Sequence, residues 1–244
     1  MCGRYSNKAE FSEIRLEFNI DRVDLFREYH SSYNISPTYG PGYEQLIVVR
    51  GADGKREARL ARWWMVPEFW KKPLKDLPTA FNARAEEVAS KPFWKDAFRL
   101  RRCLVPATGW REFKPEGKAK QPYHFHLQQH LFAFAGLWSS WVSPDGECID
   151  SFAIITTEAN SIAAPIHSRM PLILPTASHS AWLDPKTDAG QLLAQACTQA
   201  RSAHFDVHPS NPIANKSAFE GPEAIEQVEP LRSPQPGRSR LPGL

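Results

Sequence analysis

The chain has 244 residues, of which 42% are hydrophobic and 23% charged, a composition that supports a packed core and excludes global disorder. No apolar stretch approaches the roughly 20 residues of a membrane span, and the N-terminus lacks the apolar region of a secretory signal. We therefore expect a cytoplasmic protein, associated with the nucleoid if the chain is bacterial. The net charge is only +3, so it does not by itself indicate nucleic acid as a partner.

The distribution of charge is more informative than its sum. Residues 230–244 contain three arginines and no acidic residue, and their Pro-, Arg- and Ser-rich composition predicts a disordered basic tail after a domain at residues 1–229. Residues 59–120 contain 15 Lys and Arg against 7 Asp and Glu. The four cysteines are widely spaced, which in a chain without an export signal favours reduced thiols.

Strand patterns dominate the chain, and helix patterns lie around them. The first predicted elements are a helix at 7–18 with a capping box of Asn7 and Glu10, an extended or turn segment at 33–37, and a hairpin of 45–50 and 59–66. A structured loop at 67–80, a helix-prone segment at 83–90 and a mixed aromatic and basic segment at 93–102 follow. The rest of the chain is predicted to form strands at 103–107, 109–114, 123–127, 132–138 and 152–156, a helix at 189–200 and a strand at 205–208. This order predicts a single α+β domain on a largely antiparallel sheet or barrel, with peripheral helices.

Cys2 carries the most distinctive chemistry of the sequence. The residue after the initiator methionine is small, so we expect an aminopeptidase to remove Met1 and leave an N-terminal cysteine. Its α-amine and thiol are then both partly reactive near neutral pH. Together they can condense with an aldehyde to a Schiff base and close a thiazolidine, or attack an amide with the amine as base. Taken alone, an incidental residue at a frayed terminus is the simpler interpretation.

Polar side chains in three apolar segments favour a catalytic role for Cys2 over an incidental one. Alternation places Asn82 and Arg84 on one face of a strand, and His167 and Arg169 on one face of another. Glu112 shares a face with a tryptophan, and an apolar neighbour raises the pKa of a carboxyl group. An arginine beside a catalytic group suits a substrate that bears phosphate, although surface ion pairing explains any single pair.

Two further patterns leave alternatives open. His124 and His126 lie on one strand face, but no third metal ligand is apparent, and solvated histidines are the better interpretation, so we predict no metal site. Residues 93–102, with Trp63 and Trp64 upstream, interleave aromatic and basic side chains. This composition suits single-stranded nucleic acid, and a core helix with a basic outer face explains residues 93–102 equally well.

Ordered motifs spread over most of the chain carry a family resemblance. They are MCGRY at residues 1–5, YNISP at 33–37, WWMVP at 63–67, FNARAE at 81–86, CLVP at 103–106, GWREF at 109–113 and IHSRMP at 166–171. This set resembles the SRAP family (SOS response-associated peptidase-like, abasic-site processing proteins). The resemblance implies the SRAP fold and a monomer without metal or cofactor that recognises abasic sites in single-stranded DNA.

The resemblance also implies roles for individual residues. Cys2 would attack the ring-opened aldehyde and form a thiazolidine crosslink that shields the lesion, and AP-lyase activity and reversal can accompany it. The implied catalytic residues are Cys2, Asn82 to orient Cys2 or the sugar, Glu112 as acid and base, and His167 to assist opening of the deoxyribose. The implied DNA-binding residues are Arg4, Asn34, Pro37, Trp63, Trp64, Arg84 and Arg169.

Some positions depart from the family pattern. Trp64 stands where the family usually has glycine, so either the backbone differs there or a bulky ring enters the DNA groove. Arg111 and Phe113 replace the more usual aromatic pair around Glu112. Two other functions stay open: an N-terminal-cysteine amidohydrolase or peptidase with Cys2, His167 and Glu112 as a triad, and a non-covalent single-strand binder.

Overall fold

Strands dominate the structure, a computed structural model that describes residues 2–22, 29–37 and 44–231. Within these residues the strands are β1 (Arg4–Asn7), β2 (Ser32–Ile35), β3 (Glu44–Arg50), β4 (Arg56–Arg62), β5 (Asn82–Arg84), β6 (Arg102–Ala107), β7 (Gly109–Glu116), β8 (Ala119–His126), β9 (Phe132–Val142), β10 (Cys148–Glu158), β11 (Arg169–Pro171), β12 (Ile173–Leu174) and β13 (Asp206–Pro209). The helices are α1 (Phe11–Glu17), α2 (Lys95–Leu100), α3 (His179–Leu183) and α4 (Ala189–Ser202).

Five strands close into a barrel in the order β10-β4-β3-β6-β9, because β9 also pairs with β10. Most β9 and β10 residues are buried on both faces, which is why each strand contains an apolar run, at residues 132–138 and 152–155. The short strand β5 adds to β10 in parallel, with Asn82 opposite Ile154 and Arg84 opposite Thr156. Backbone pairing with the barrel strand β10 therefore holds the Asn82–Arg84 segment in place.

A second, antiparallel sheet has the order β13-β8-β7-β1-β2. Its strand β7 turns the Trp110 ring into the core, where it stacks on Phe125 at 4.9 Å and meets Phe134 of the barrel edge-on at 6.1 Å. One hydrophobic core thus joins both sheets. The predicted α+β domain with a largely antiparallel barrel core and peripheral helices is confirmed.

Local departures from the predicted elements have physical causes. The capping box of α1 joins Glu10 and Glu13 rather than Asn7 and Glu10, because Asn7 belongs to β1. The segment predicted as helix-prone at 83–90 begins as strand β5 and continues as turns, since pairing with β10 overrides its helix propensity.

Of the two interpretations of the aromatic and basic segment at 93–102, the structure supports the core helix with a basic outer face. It contains α2, which buries Trp94, Ala97 and Phe98 and leaves Lys95 and Arg99 exposed. Apart from the exposed Leu100, its apolar residues therefore serve packing, and the outer face of α2 is charged.

The predicted basic tail lies outside the described residues beyond Leu231. All four cysteines are free thiols. Among the described residues, no helix is long and apolar enough to cross a membrane.

Two histidines are buried in the fold. His124 is 4% exposed and lies 5.7 Å and 5.4 Å, ring to ring, from His126 and His208. A Cβ atom at Gly109 would clash with the ring of His124 and with the carbonyl oxygen of Phe125, so β7 needs glycine there. Burial, reinforced by nearby basic groups, lowers the pKa of His124, and burial lowers the pKa of His179 to about 4. The expectation of solvated strand histidines is wrong for His124.

We expect the free energy of unfolding to decrease as the pH falls below about 6.5. His124 and His179 are neutral in the folded chain, whereas the unfolded chain binds their protons below the unperturbed value of 6.5, so the loss at His179 continues to about pH 4. Urea unfolding at a series of pH values between 7.5 and 4 would measure this decrease in the free energy of unfolding. His179→Phe should flatten the decline and the exposed His30→Gln should not; equal pH dependence in all three proteins would contradict the assignment.

Candidate active site

Cys2 lies two residues before the start of β1. Arg4 pairs with Arg111, so the chain before Arg4 continues along β7 towards Glu112. Cys2 is fully buried, and its sulfur donates a long hydrogen bond of 3.7 Å to the carbonyl oxygen of Arg4. Its own carbonyl oxygen accepts a hydrogen bond of 2.7 Å from Nδ2 of Asn82. The fold therefore brings Cys2, Asn82 and Glu112 together from three separate motifs.

Glu112 is held in its protonated form by burial. Its side chain is 2% exposed, and its Oε1 is buried without a hydrogen-bond partner among the described residues. Burial raises the pKa of Glu112 to about 8, against the opposing effect of the terminal ammonium. At neutral pH this carboxyl group can thus donate a proton to a group that enters the site.

The thiol of Cys2 is also neutral in this environment. Burial raises its pKa well above the usual value and the charge of Glu112 raises it further, whereas the terminal ammonium, the hydrogen bond to Arg4 and the charge of Arg111 lower it. A buried thiol is a weak nucleophile until a nearby base or positive charge favours the thiolate.

Asn82 separates Cys2 from a surface cleft. The cleft has a volume of about 450 Å³. Its lining consists of Pro78, Thr79, Asn82, Arg84, Glu87, Lys91, Phe93, Trp94, Thr156 and Arg169. Because Oδ1 of Asn82 is buried without a partner among the described residues, the amide has an acceptor available to a ligand beside Cys2.

Trp63 supports this arrangement from within the core. It is fully buried, its Nε1 donates to the carbonyl oxygen of Phe81 at 2.8 Å, and its ring meets Tyr5 at 5.0 Å. A ring in this position is not exposed to stack on a base, and the implied DNA contact of Trp63 stays a prediction. Trp63 instead positions the Phe81–Asn82 backbone.

Trp64 supports the same segment from outside. Its ring lies 5.3 Å from that of Phe81, and its Nε1 donates to the carbonyl oxygen of Pro78 at 3.0 Å. The tryptophan in place of the usual glycine thus packs against the wall of the cleft. Its implied contact with DNA stays a prediction.

Arg169 is anchored rather than free to follow a phosphate. It makes two hydrogen bonds to Glu86, at 2.9 and 3.0 Å, and a third to the carbonyl oxygen of Thr156 at 2.6 Å. Arg84 is exposed, and its Nη1 lies 3.9 Å from Oε1 of Glu87. Both arginines line the cleft, with Arg84 the more available of the two for a flexible substrate.

His167 is fixed by the backbone next to it. Its Nδ1 lies 3.0 Å from the amide nitrogen of Arg169 and 3.1 Å from the carbonyl oxygen of that residue. It is half-buried, and burial together with the charge of the terminal ammonium lowers its pKa. The charge of the same ammonium also lowers the pKa of Glu112.

The other implied DNA-binding residues divide between core and rim. Asn34 is fully buried and donates to the carbonyl oxygens of Lys216 and Phe219 at 2.9 and 2.8 Å, so its side chain supports the fold, and its implied DNA contact stays a prediction. Arg4 is half-buried and donates to the carbonyl oxygen of Gly3 at 2.8 Å. Pro37 is half-buried. The roles of Arg4 and Pro37 stay predictions.

Sequence reasoning missed several contributors to the site. Glu86 anchors Arg169, and Lys91, Phe93 and Thr156 line the cleft. The pairing of β5 with β10 brings Thr156 there, and no local pattern reveals a parallel pairing across 72 positions. The described residues contain no group of three or more His, Cys, Asp or Glu that could hold a metal ion.

Comparison with known proteins identifies the family. The model of the family described as SOS response associated peptidase (SRAP) matches residues 1–217. The chain belongs to the SRAP family. Every motif that carried the resemblance, from Cys2 to Arg169, lies inside the matched residues.

Relatives of this SRAP chain have a shared name. The chain is 33% identical over 228 residues to the abasic site processing protein YoqW of Bacillus subtilis, covering 93% of this chain and 99% of that one. It is 26% identical to YedK of Escherichia coli, covering 93% and 100%, and 28% identical to HMCES of Gallus gallus, covering 94% and 78%. Both are also named abasic site processing proteins.

A solved structure supports the fold. A crystal structure of a protein from Bacteroides thetaiotaomicron matches with a TM-score of 0.80 at 23% identity, covering 93% of this chain and all of that one. This likeness is evidence for the fold alone.

Proposed function

We propose that this protein processes abasic sites in single-stranded DNA by forming a covalent thiazolidine crosslink through Cys2. The observation that carries the proposal is the convergence of Asn82 and Glu112 on an N-terminal cysteine beside a cationic cleft. The names of the relatives YoqW, YedK and HMCES support the abasic site as the substrate.

The chemistry requires removal of Met1, which converts the peptide nitrogen of Cys2 into a free amine. That amine adds to the C1′ aldehyde of the ring-opened sugar to give a carbinolamine, which loses water to become a protonated Schiff base. The sulfur then bonds to the same carbon as the C=N electron pair moves to nitrogen, and the thiol releases its proton. Amine, thiol and aldehyde thus give one thiazolidine and one water.

Glu112 is suited to both proton transfers in this sequence. Its raised pKa keeps it protonated near neutral pH, so it can give a proton to the departing hydroxyl of the carbinolamine. The resulting carboxylate can take the proton that the thiol of Cys2 loses. Asn82 orients Cys2 through its carbonyl oxygen, and His167 assists opening of the deoxyribose ring.

The cleft suits a single strand. Arg84 and Lys91 offer charge for phosphates beside the half-buried ring of Phe93, a combination that accepts unpaired nucleotides without reading their sequence. A Schiff base also acidifies the adjacent carbon, so β-elimination of the 3′ phosphate can accompany the crosslink. Reversal would use Glu112 as the acid that reopens the ring.

The decisive test is a denaturing gel of Met1-processed protein with single-stranded DNA that carries one abasic site. We expect a heat-stable band without added reductant, lost in Cys2→Ala. Cys2→Ser is the matched control, because it keeps the size of the side chain but cannot form the sulfur ring. Absence of the band from processed, DNA-binding protein would overturn the proposal, and Cys2-dependent amide hydrolysis would then favour the amidohydrolase.

A further inference from the structure

An ion pair joins the chain segments that carry Asn82 and His167. Glu86 follows β5, four residues after Asn82, and Arg169 begins β11, two residues after His167. The carboxylate of Glu86 accepts a hydrogen bond from each terminal nitrogen of Arg169, at 2.9 and 3.0 Å. This two-pronged geometry holds an arginine in a fixed orientation, so the pair bridges two motifs that lie 83 positions apart in the chain.

The strand β10 lies between the two ends of this bridge. It pairs with β5 through Thr156 and Arg84, and with β11 through Thr156 and Pro171. The carbonyl oxygen of Thr156 accepts a hydrogen bond from the amide nitrogen of Ala85 at 2.9 Å and another from Nη2 of Arg169 at 2.6 Å. The guanidinium of Arg169 thus reaches across β10 and ties the turn after β5 to the backbone of the barrel.

Both ends of the bridge continue to residues of the candidate active site. The amide nitrogen of Arg169 donates a hydrogen bond of 3.0 Å to Nδ1 of His167. On the other side β5 carries Asn82, whose Nδ2 donates to the carbonyl oxygen of Cys2 at 2.7 Å. A continuous series of contacts therefore runs from His167 through Arg169 and Glu86 to Asn82 and Cys2.

Glu86 itself stands apart from the cleft. Arg169 is part of the cleft lining, whereas Glu86 is not. The side chain of Glu86 is 51% exposed, against 15% for that of Arg169. The hydrogen bonds from Arg169 lower the pKa of Glu86, so the guanidinium faces a carboxylate at neutral pH. An effect of Glu86 on the reaction must therefore pass through Arg169.

We propose that Glu86 is a positioning residue, which holds Arg169 across β10 and thereby fixes the segments of Asn82 and His167 relative to each other. The inference rests on the proposed function, in which Asn82 orients Cys2 and His167 assists opening of the deoxyribose. Groups on two separate segments act on one sugar only when the spacing between the segments is fixed. Glu86 forms no bond to the sugar and transfers no proton.

Glu86→Gln tests this role through two readouts that should move in different directions. Single-turnover crosslinking would be measured over a range of concentrations of abasic single-stranded DNA. At saturating DNA we expect the rate to fall about tenfold, because small misplacements of catalytic groups are costly. The half-saturating DNA concentration should fall as well, because the variant removes a negative charge beside a cleft that binds a polyanion. A slower maximal rate with a raised half-saturating concentration would indicate general damage to the site and overturn the proposal.

Two further variants isolate the contact with Arg169. Glu158 is exposed, lies directly opposite Arg169 in the pairing of β10 with β11, and takes part in none of the ion pairs of the described residues. Glu158→Gln should therefore leave the maximal rate unchanged, and equal slowing in both Gln variants would overturn the proposal. In an Arg169→Gln background, Glu86→Gln should slow the reaction no further. Additional slowing there would show that Glu86 does not act through Arg169.

A measurement without DNA separates this inference from the proposed function. The amides of Ala85 and Arg169 donate to the carbonyl oxygen of Thr156 and to Nδ1 of His167. Hydrogen exchange at both amides should be faster in Glu86→Gln and unchanged in Glu158→Gln, because only the first variant releases Arg169. Unchanged exchange in Glu86→Gln would overturn the positioning role. If the unmodified protein forms no crosslink, the proposed function fails, while hydrogen exchange still reports on Glu86.

Discussion

Glu112→Gln is expected to slow crosslink formation by about two orders of magnitude, since a positioned general acid typically contributes that much or more. The amide keeps the shape of the side chain but can neither give a proton to the carbinolamine hydroxyl nor accept one from the thiol. Binding of DNA should be retained, because Glu112 is buried beneath the cleft rather than in its lining.

The pH dependence of the reaction gives this prediction a second measurement. The pKa of Glu112 lies near 8, so its proton is present at neutral pH and is lost as the pH rises through that value. The crosslinking rate should decline there in the unmodified protein, and this component should be missing in Glu112→Gln. Single-turnover rates between pH 6 and 9.5 would show it. An unchanged profile in the variant would assign the proton transfers to another group.

Glu116→Gln is a matched control for Glu112→Gln. Glu116 lies at the far end of the same strand, in a half-buried position. The same chemical change there should leave both rate and pH profile unaltered. A comparable loss in both variants would point to a general effect on β7 rather than to acid catalysis.

Trp63→Ala is expected to cost about 3–5 kcal/mol of folding free energy, the usual range for removing a fully buried large aromatic side chain. The substitution leaves a cavity next to Tyr5 and Phe81 and removes the hydrogen bond that holds the backbone before Asn82. Urea unfolding measures the loss. Trp64→Ala, at a half-buried position, should cost less.

Binding distinguishes this structural role from base stacking. Trp63→Phe keeps a ring in the core, so we expect it to bind abasic single-stranded DNA with unchanged affinity and to lose only part of the stability. Fluorescence anisotropy with labelled DNA below the unfolding transition would measure affinity. A folded, fully stable Trp63→Phe protein with weakened DNA binding would restore the stacking interpretation.

The sequence alone predicted the fold class and most strands, and it indicated a chemistry for the N-terminus that stays a proposal. Alternation and turn residues are local signals, so the hairpin around Asp53-Gly54 and helix α4 appear close to their predicted positions. The aminothiol of Cys2 is likewise a property of one residue and its neighbour. The ordered motifs, which extend from Cys2 to Arg169, were sufficient to indicate the SRAP family.

Only the tertiary structure decided which motif residues line the cleft and which lie in the core. Trp63 and Asn34 belong to the same motifs as site residues, yet both are fully buried, because burial depends on strands that pair from distant parts of the chain. The hydrogen bond from Arg111 across β1 to the carbonyl oxygen of Tyr33 depends on the strand order β7-β1-β2. This order arises from non-local pairing, which no spacing within the sequence encodes. Local patterns thus determined the elements, and long-range pairing determined the environment of each side chain.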